Sequence, residues 1–572
     1  MPNRGNGPAA EPVRLARNAI GCFLMPAALY FDPDAYLIEG RALVGRRAAG
    51  AAFLRAAVEG RGKEPVIAYA GRKRDMRLLV EAVQGIDPSA RIEWIPVNRF
   101  DMLEKVGTMF RPDPSLAGDA RLRLRHGPGR YSLCGITHTL SSTRALESIA
   151  SLVIEPMMPW DAVICTSSAA LGVVQAVLEA ALDHHRWRLG LSKLPDMPMS
   201  PVIPLGVHCR DLISTEATRR IARKTLGLAD DEVAVLFAGR LSFSTKAHPY
   251  QMYDALRIAA ERSGKRVVLI QAGQFFNEGA AKAIRDATDA HCTGVRAIFA
   301  DGADFLLYNA AFAGADLFIS LSDSIQETFG ITPVEAMASG LPVIVSDWNG
   351  YRDTIRDGID GFRIPTRAPA PGPGRRIAMA YEMDKQYELY TARVSSAVSI
   401  DMAVLAERLT DLIGDPAMRR RMGEAGRTRA LADYDWSVIY RRYRELWAEL
   451  ASRRRHALAD HNVTAWLAKA PSAHPALEDP FRIFAHYPTT AIRPDTVVRA
   501  APGASLADYE RLVAEPIFEL SRFPSEIAGQ LIAETSGAPL SIAELARKVG
   551  REVGSVIELT GRLAKMNLLF FS

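Results

Sequence analysis

Short apolar runs alternate with stretches of 3.6-residue periodicity over the first two thirds of the chain. That alternation predicts parallel strands joined by crossover helices. In the first series the predicted strands cover residues 22–30, 66–69, 91–95, 133–137, 162–166 and 202–205, with helical patterns between them such as 41–59 and 169–182. A break follows at residues 206–211, and the pattern restarts. The second series predicts strands at 233–237, 267–271, 296–300, 317–321, 343–346 and 361–364, separated by helices near 250–262, 280–290, 304–312 and 333–339. Two Rossmann-like, doubly wound α/β domains in tandem are expected, with a ligand cleft between them.

With 572 residues the chain exceeds one hydrophobic core. The expected organisation is a polar tail (1–20), a first α/β domain (21–210), a second (211–451) and an extension (452–572). The stretch TRAPAPGPGRR at 366–376 reads as a flexible loop inserted in the second domain. Asp415-Pro416 and Asp435 offer N-caps for late helices. Residues 541–572 have helix–turn–helix spacing followed by an apolar run, a small, mainly helical, winged-helix-like module with its own apolar set (Ile542, Leu545, Val549, Val556, Leu559, Leu563, Leu568).

Composition narrows the function classes. Apolar residues make up 48% and charged residues 24%, and the net charge of +5 permits anionic ligands without calling for nucleic acid. From Arg453 onward there are 14 Lys+Arg against 13 Asp+Glu, too even for a nucleic-acid-binding module, so its expected partner is protein, a second copy of this chain included. Cys22, Cys134, Cys165, Cys209 and Cys292 lie far apart with no CxxC, which favours buried thiols in a reducing compartment. No apolar run nears the ~20 residues of a membrane helix. The expected location is the cytoplasm, with peripheral attachment at the inner face of a membrane as a compatible variant. Arg121-Leu122-Arg123-Leu124-Arg125 reads as an edge strand with a basic, solvated face, with contact to an anionic acceptor or a membrane surface as the alternative. Asp32-Pro33-Asp34 reads as a turn that starts a helix, and no carboxylate or histidine cluster has metal spacing.

The chemistry concentrates in residues 320–361. A buried strand ends near Leu321, so 322–330 is the loop at its carboxyl end, where open α/β sheets bind ligands. Glu327 lies in that loop. Thr332-Pro333-Val334-Glu335 reads as a capping box that opens the next helix, with Glu335 at the third position. Backbone amides at a glycine-preceded helix start can receive phosphate oxygens.

Glu327 and Glu335, with seven residues between them in QETFG…EAMASGLPV, match the E-x7-E pattern of glycosyltransferase family 4, and GYRD (350–353) with DG…GF (357–362) resembles that family's closing segment. The resemblance covers roughly residues 28–450 and is strongest over 236–365. It implies two GT-B domains and transfer, with retained anomeric configuration, from a nucleoside diphosphate sugar without a divalent metal or other cofactor. Glu327 would bind sugar hydroxyls and Glu335 the ribose, with the backbone of Phe329, Gly330 and Ile331 at the pyrophosphate or sugar. Phe237-Ala238-Gly239-Arg240-Leu241 and Lys246 match the loop whose Arg and Lys clamp the diphosphate, although the family's usual Lys-Gly is Lys246-Ala247 here. Two fixed cations would stabilise the departing diphosphate. Gly135-Ile136-Thr137-His138 matches a family histidine that faces the donor sugar, and the Gly40/Gly45/Gly50 series makes Gly45 and Arg46 a weaker acceptor or phosphate candidate. The acceptor, whether glycan, lipid or small molecule, is not encoded in these motifs. The alternative is a catalytically altered nucleotide-sugar-binding protein that acts through its terminal module.

Overall fold

The computed structural model describes residues 26–38, 45–191 and 195–572, with side chains from Arg47 onward in the helix that opens at Gly45. The chain divides into two compact units, residues 1–474 and 475–572. Cys22, Gly40, Arg41 and the 1–20 tail lie outside the described residues, as does the side chain of Arg46.

The first unit holds two six-stranded parallel sheets. Strands β1 (Ala28–Tyr30), β2 (Val66–Ala70), β3 (Ile92–Pro96), β4 (Thr108–Phe110), β5 (Ser132–Ile136) and β6 (Ala162–Ile164) form one, in the order β3-β2-β1-β4-β5-β6. Strands β7 (Glu232–Ala238), β8 (Arg266–Gly273), β9 (Arg296–Asp301), β10 (Leu317–Ser320), β11 (Val343–Ser346) and β12 (Gly361–Ile364) form the other, in the order β12-β11-β10-β7-β8-β9. The two orders are the same winding, each reversing beside its first strand, at β1/β4 and at β7/β10. Crossover helices cover both faces, so the central strands are mostly apolar and buried on both sides; Leu317 to Ser320 is buried at every position. These are the tandem Rossmann-like domains that the alternation implied, in the GT-B arrangement that the family resemblance implied.

Three local expectations fail for identifiable reasons. Residues 202–205 form no strand; Val202 makes only a single bridge to Cys165, beyond the edge of β6. The missing sixth strand is β4, three residues (Thr-Met-Phe) too short to announce itself. Arg121–Arg125 is not an edge strand but the end of the helix Ala117–Arg123 and a 3-10 turn. Its period is set by Arg123, which turns fully inward to pair with the equally buried Asp161 at 2.7 Å, while Arg121 pairs with Glu155. The proposed loop 366–376 opens instead with β13 (Thr366–Arg367), paired antiparallel with β14 (Ser399–Ile400), and closes in a helix.

Asp32 caps the short helix Pro33–Tyr36, and Asp415 and Asp435 cap theirs as expected. The last of these, Trp436–Ala459, returns the chain to the first lobe. Its Trp436, Tyr443 and Trp447 pack around Phe53 and Phe110, and Arg444 and Arg454 reach Glu64 and Ser132 at 2.7 Å each.

The second unit is built on β15 (Val497–Ala500), β16 (Leu540–Ser541) and β17 (Leu569–Phe571), antiparallel in the order β16-β15-β17. The helices Ile542–Lys548 and Val553–Lys565 connect β16 to β17, and Val498, Leu531, Ile542, Leu545, Val556 and Leu563 form its core.

Candidate functional site

The site lies at the carboxyl ends of β7 and β10. These strands are neighbours in register (Leu317 with Val235, Phe318 with Leu236), and the winding reverses between them. A crevice opens where two adjacent strands send their exit loops apart, and ligands of open α/β sheets bind there. The β7 exit carries Gly239, Arg240 and Lys246; the β10 exit carries Glu327, Phe329 and Gly330.

Gly239 has φ 144°, and a Cβ there would lie 3.1 Å from Lys246 Cε, so only glycine lets the lysine stem pass over the turn. Lys246 Nζ then meets Glu327 Oε2 at 2.5 Å in a largely buried pair. Burial opposes both charges. Lys246 outweighs that cost and holds Glu327 below the usual carboxylate range, and Glu327 in turn raises the lysine. The family's Lys-Gly is not needed here: Ala247 is absent from the positive-φ residues, and its amide, like that of Lys246, donates to the Ser242 carbonyl. Arg240 acts electrostatically on Lys246 and on Glu327, and its guanidinium has no hydrogen bond or ion pair to another described residue.

The capping box is corrected by the structure. The helix runs Ile331–Ala338 with Gly330, not Thr332, at its N-cap, and no side chain caps it. Gly330 sits at φ 88° with Tyr351 directly beneath; a Cβ would be 2.0 Å from that ring. This tertiary contact starts the helix earlier than the local Thr-Pro-x-Glu signal. Thr332 Oγ1 and Glu335 Oε2 consequently have no partner although buried. The Glu335 carboxyl faces the Tyr308 hydroxyl, and burial pushes its pKa up to about 7 against the smaller lowering effects of Tyr308 and Lys246. A buried carboxyl oxygen left without a donor is costly.

Several participants were not legible in the sequence. Tyr351 hydrogen-bonds Ser320 at 2.9 Å and supports the Glu327 loop from below. Across the cleft, Ser167 Oγ donates to the Thr328 carbonyl at 2.6 Å, and Ser168 donates to Asp353 through both its amide and its hydroxyl. Ser141 and Tyr387 hydroxyls meet at 2.7 Å. These are ordinary serines and tyrosines without motif spacing; only the fold brings them together.

Arg240, Lys246, Glu327 and Glu335 therefore share one electrostatic neighbourhood, with the backbone of Phe329, Gly330 and Ile331 at its edge. His138 follows β5 in the first lobe, where its Nε2 lies 3.1 Å from the Pro112 carbonyl, a contact that places the proton on Nε2. Gly45 opens the helix Gly45–Glu59, while the Arg46 side chain is outside the described residues. Asp34 of the Asp-Pro-Asp turn pairs with Arg47. Among the described residues no group of three or more His, Cys, Asp or Glu is placed to hold a metal ion, and no helix is long and apolar enough to cross a membrane.

Comparison with known proteins places the same region. Residues 218–371 match the family described as Glycosyl transferases group 1. The D-inositol 3-phosphate glycosyltransferase of Stackebrandtia nassauensis is 24% identical over 292 residues, 50% of this chain and 62% of that protein. That of Geodermatophilus obscurus is 28% identical over 173 residues, 30% and 37% of the two chains. The phosphatidyl-myo-inositol mannosyltransferase of Mycobacterium leprae is 31% identical over 130 residues, 23% and 25%. The chain thus spans less than two thirds of the curated relatives it matches. Among solved structures, Anabaena HepE in complex with UDP and glucose aligns over 76% of this chain and 99% of its own at 14% identity, with a TM-score of 0.45. The segment that carries Arg240, Lys246, Glu327 and Glu335 lies within the region that matches the glycosyl transferases group 1 family.

Proposed function

We propose that the chain is a retaining, metal-independent glycosyltransferase that moves a sugar from a nucleoside diphosphate sugar to a glycan, lipid or small-molecule acceptor. One observation carries this reading: an Arg240 side chain without a partner acts on a buried Lys246–Glu327 pair, and Glu335, with a buried unpartnered oxygen, lies within electrostatic reach of the same lysine.

Each group has a task that the bound donor would complete. Arg240 and Lys246 take the diphosphate, whose negative charge grows as the bond from the anomeric carbon to phosphate oxygen breaks. Glu327, partly released from Lys246, accepts from sugar hydroxyls. Glu335 accepts from the ribose, filling the vacancy at Oε2. The acceptor oxygen bonds the anomeric carbon on the face the diphosphate leaves, and its proton passes to the departing phosphate oxygen. His138 faces the donor sugar from the first lobe. The activity of the related proteins supports the reading without naming this chain's sugar or acceptor. The rival role, binding without turnover, would not need Glu327 and both cations together.

Incubation with a panel of UDP-, GDP- and ADP-sugars in EDTA, analysed for released nucleoside diphosphate and for the anomeric configuration of product, tests the proposal. Release with retention, lost in Glu327→Gln, is expected. Activity abolished by EDTA and restored by manganese or magnesium would contradict the metal-free assignment.

A further inference from the structure

Between β13 and β14 the chain leaves the second lobe for residues 368–398. The antiparallel β13–β14 pair pins both ends, Thr366 against Ile400 and Arg367 against Ser399. The excursion folds into two helices, Arg375–Asp384 and Tyr387–Ser395, and the first of them buries no side chain. Ring contacts hold the hairpin: Tyr381 stacks on Tyr390 with centroids 4.5 Å apart and lies 6.3 Å from Tyr387. A segment with so little core contributes little to the lobe that carries it.

It does reach across the cleft. The Tyr387 hydroxyl meets Ser141 Oγ at 2.7 Å, and Ser141 is a buried residue of the first lobe, three positions after His138. The Arg240 charge acts on this phenol as it acts on Lys246 and Glu327, so Tyr387 belongs to the same neighbourhood as the two cations. Burial raises the phenol's pKa above its ordinary value while Ser141 and Arg240 pull it back, and the hydroxyl keeps its proton at neutral pH. A protonated phenol held at the cleft by Ser141, within electrostatic reach of an arginine, is chemically matched to an anionic oxygen.

We infer that Tyr387 is a further donor-binding residue: its hydroxyl, presented by the 368–398 excursion and parked on Ser141, donates to a phosphate oxygen of the bound nucleoside diphosphate beside Arg240. The inference rests on the nucleotide-sugar reading above and adds a contact from a segment that the matched family region, ending at residue 371, does not include.

Tyr387→Phe removes the donor and keeps the ring that packs near Tyr381 in the hairpin. Calorimetry of the full chain in EDTA with UDP, GDP and ADP, and with uridine, guanosine and adenosine, compares it with wild type and with Ser141→Ala. For the diphosphate that binds wild type best, Tyr387→Phe weakens affinity about tenfold, as for loss of one hydrogen bond to a charged group. Ser141→Ala stays within about twofold of wild type, because Tyr387 retains its donor. Nucleoside affinity is unchanged in both. Wild-type diphosphate affinity in Tyr387→Phe would overturn the inference alone. So would an equal loss in Ser141→Ala, which would make the bond only a strut between lobes. A folded wild-type chain that binds none of the three diphosphates would overturn the nucleotide-sugar reading and this inference with it.

Discussion

At the scale of the residue, Glu335 is the most informative side chain. A carboxyl with a pKa pushed up to about 7 by burial is half-ionised near neutrality, and the ribose is best accepted by its charged form. Nucleotide affinity is therefore predicted to rise between pH 6 and pH 8 in wild type. Glu335→Gln should be weaker by about 1.5–3 kcal/mol at the upper end and flat across the range. Stability runs the other way. Glu335 binds its proton more tightly folded than unfolded, so stability falls as pH rises from the ordinary carboxylate value toward 7 and levels off above it. Glu335→Gln removes that part of the fall; denaturant melts across the range check the sign, and an unchanged slope would show that the carboxyl titrates normally. The identity of this residue was legible as half of an E-x7-E spacing, but its local role was not. Thr332-Pro333-Val334-Glu335 spells a capping box, and only Tyr351, 16 positions further on than Glu335 and packed under Gly330, moves the helix start and frees the carboxyl.

At the scale of the element, the loop after β10 and the helix Ile331–Ala338 act as one device. Gly330 combines a left-handed backbone with ring contact below, so Gly330→Ala meets two penalties at once. A loss of at least about 2 kcal/mol in unfolding free energy is expected, with nucleotide affinity falling as well because the Glu327 loop shifts. Thermal melts with and without nucleoside diphosphate separate the two effects, and a near-wild-type melt would mean that Tyr351 yields easily. The strands of the second lobe were readable because their apolar runs exceed any turn or helix signal; β7 and β8 enclose the expected residues, and β11 and β12 fall on them. Strand β4 escaped because three residues carry no periodicity, and Arg121–Arg125 misled because alternation over five residues fits a strand as well as a helix whose Arg123 turns to a buried Asp161.

At the scale of the whole molecule, the first unit contains everything assigned to donor binding, including the helix Trp436–Ala459 that clasps the first lobe. A cut near residue 453 would sever Arg454 from Ser132, so the informative truncation follows His474, where the compact unit ends. The 1–474 fragment is predicted to bind nucleoside diphosphate as the full chain does. If the second unit pairs two copies of the chain, as its near-neutral charge suggests, light scattering will give the fragment the mass of a monomer and the full chain a larger one; equal association in both would remove that role. The tandem domains were evident from alternation alone. The interlobe contacts of Ser141, Ser167 and Ser168 were not, since no local pattern marks a residue whose partner lies 161 to 246 positions away.

The central claim is that two protein cations, not a metal ion, receive a nucleoside diphosphate at the β7/β10 crevice. Calorimetry of UDP, GDP and ADP in EDTA, on wild type and on Arg240→Ala, tests it most directly. At least one diphosphate should bind wild type without metal, and Arg240→Ala should lose about 2 kcal/mol or more of that affinity. Binding that requires added magnesium or manganese, or that is indifferent to Arg240, would contradict the account.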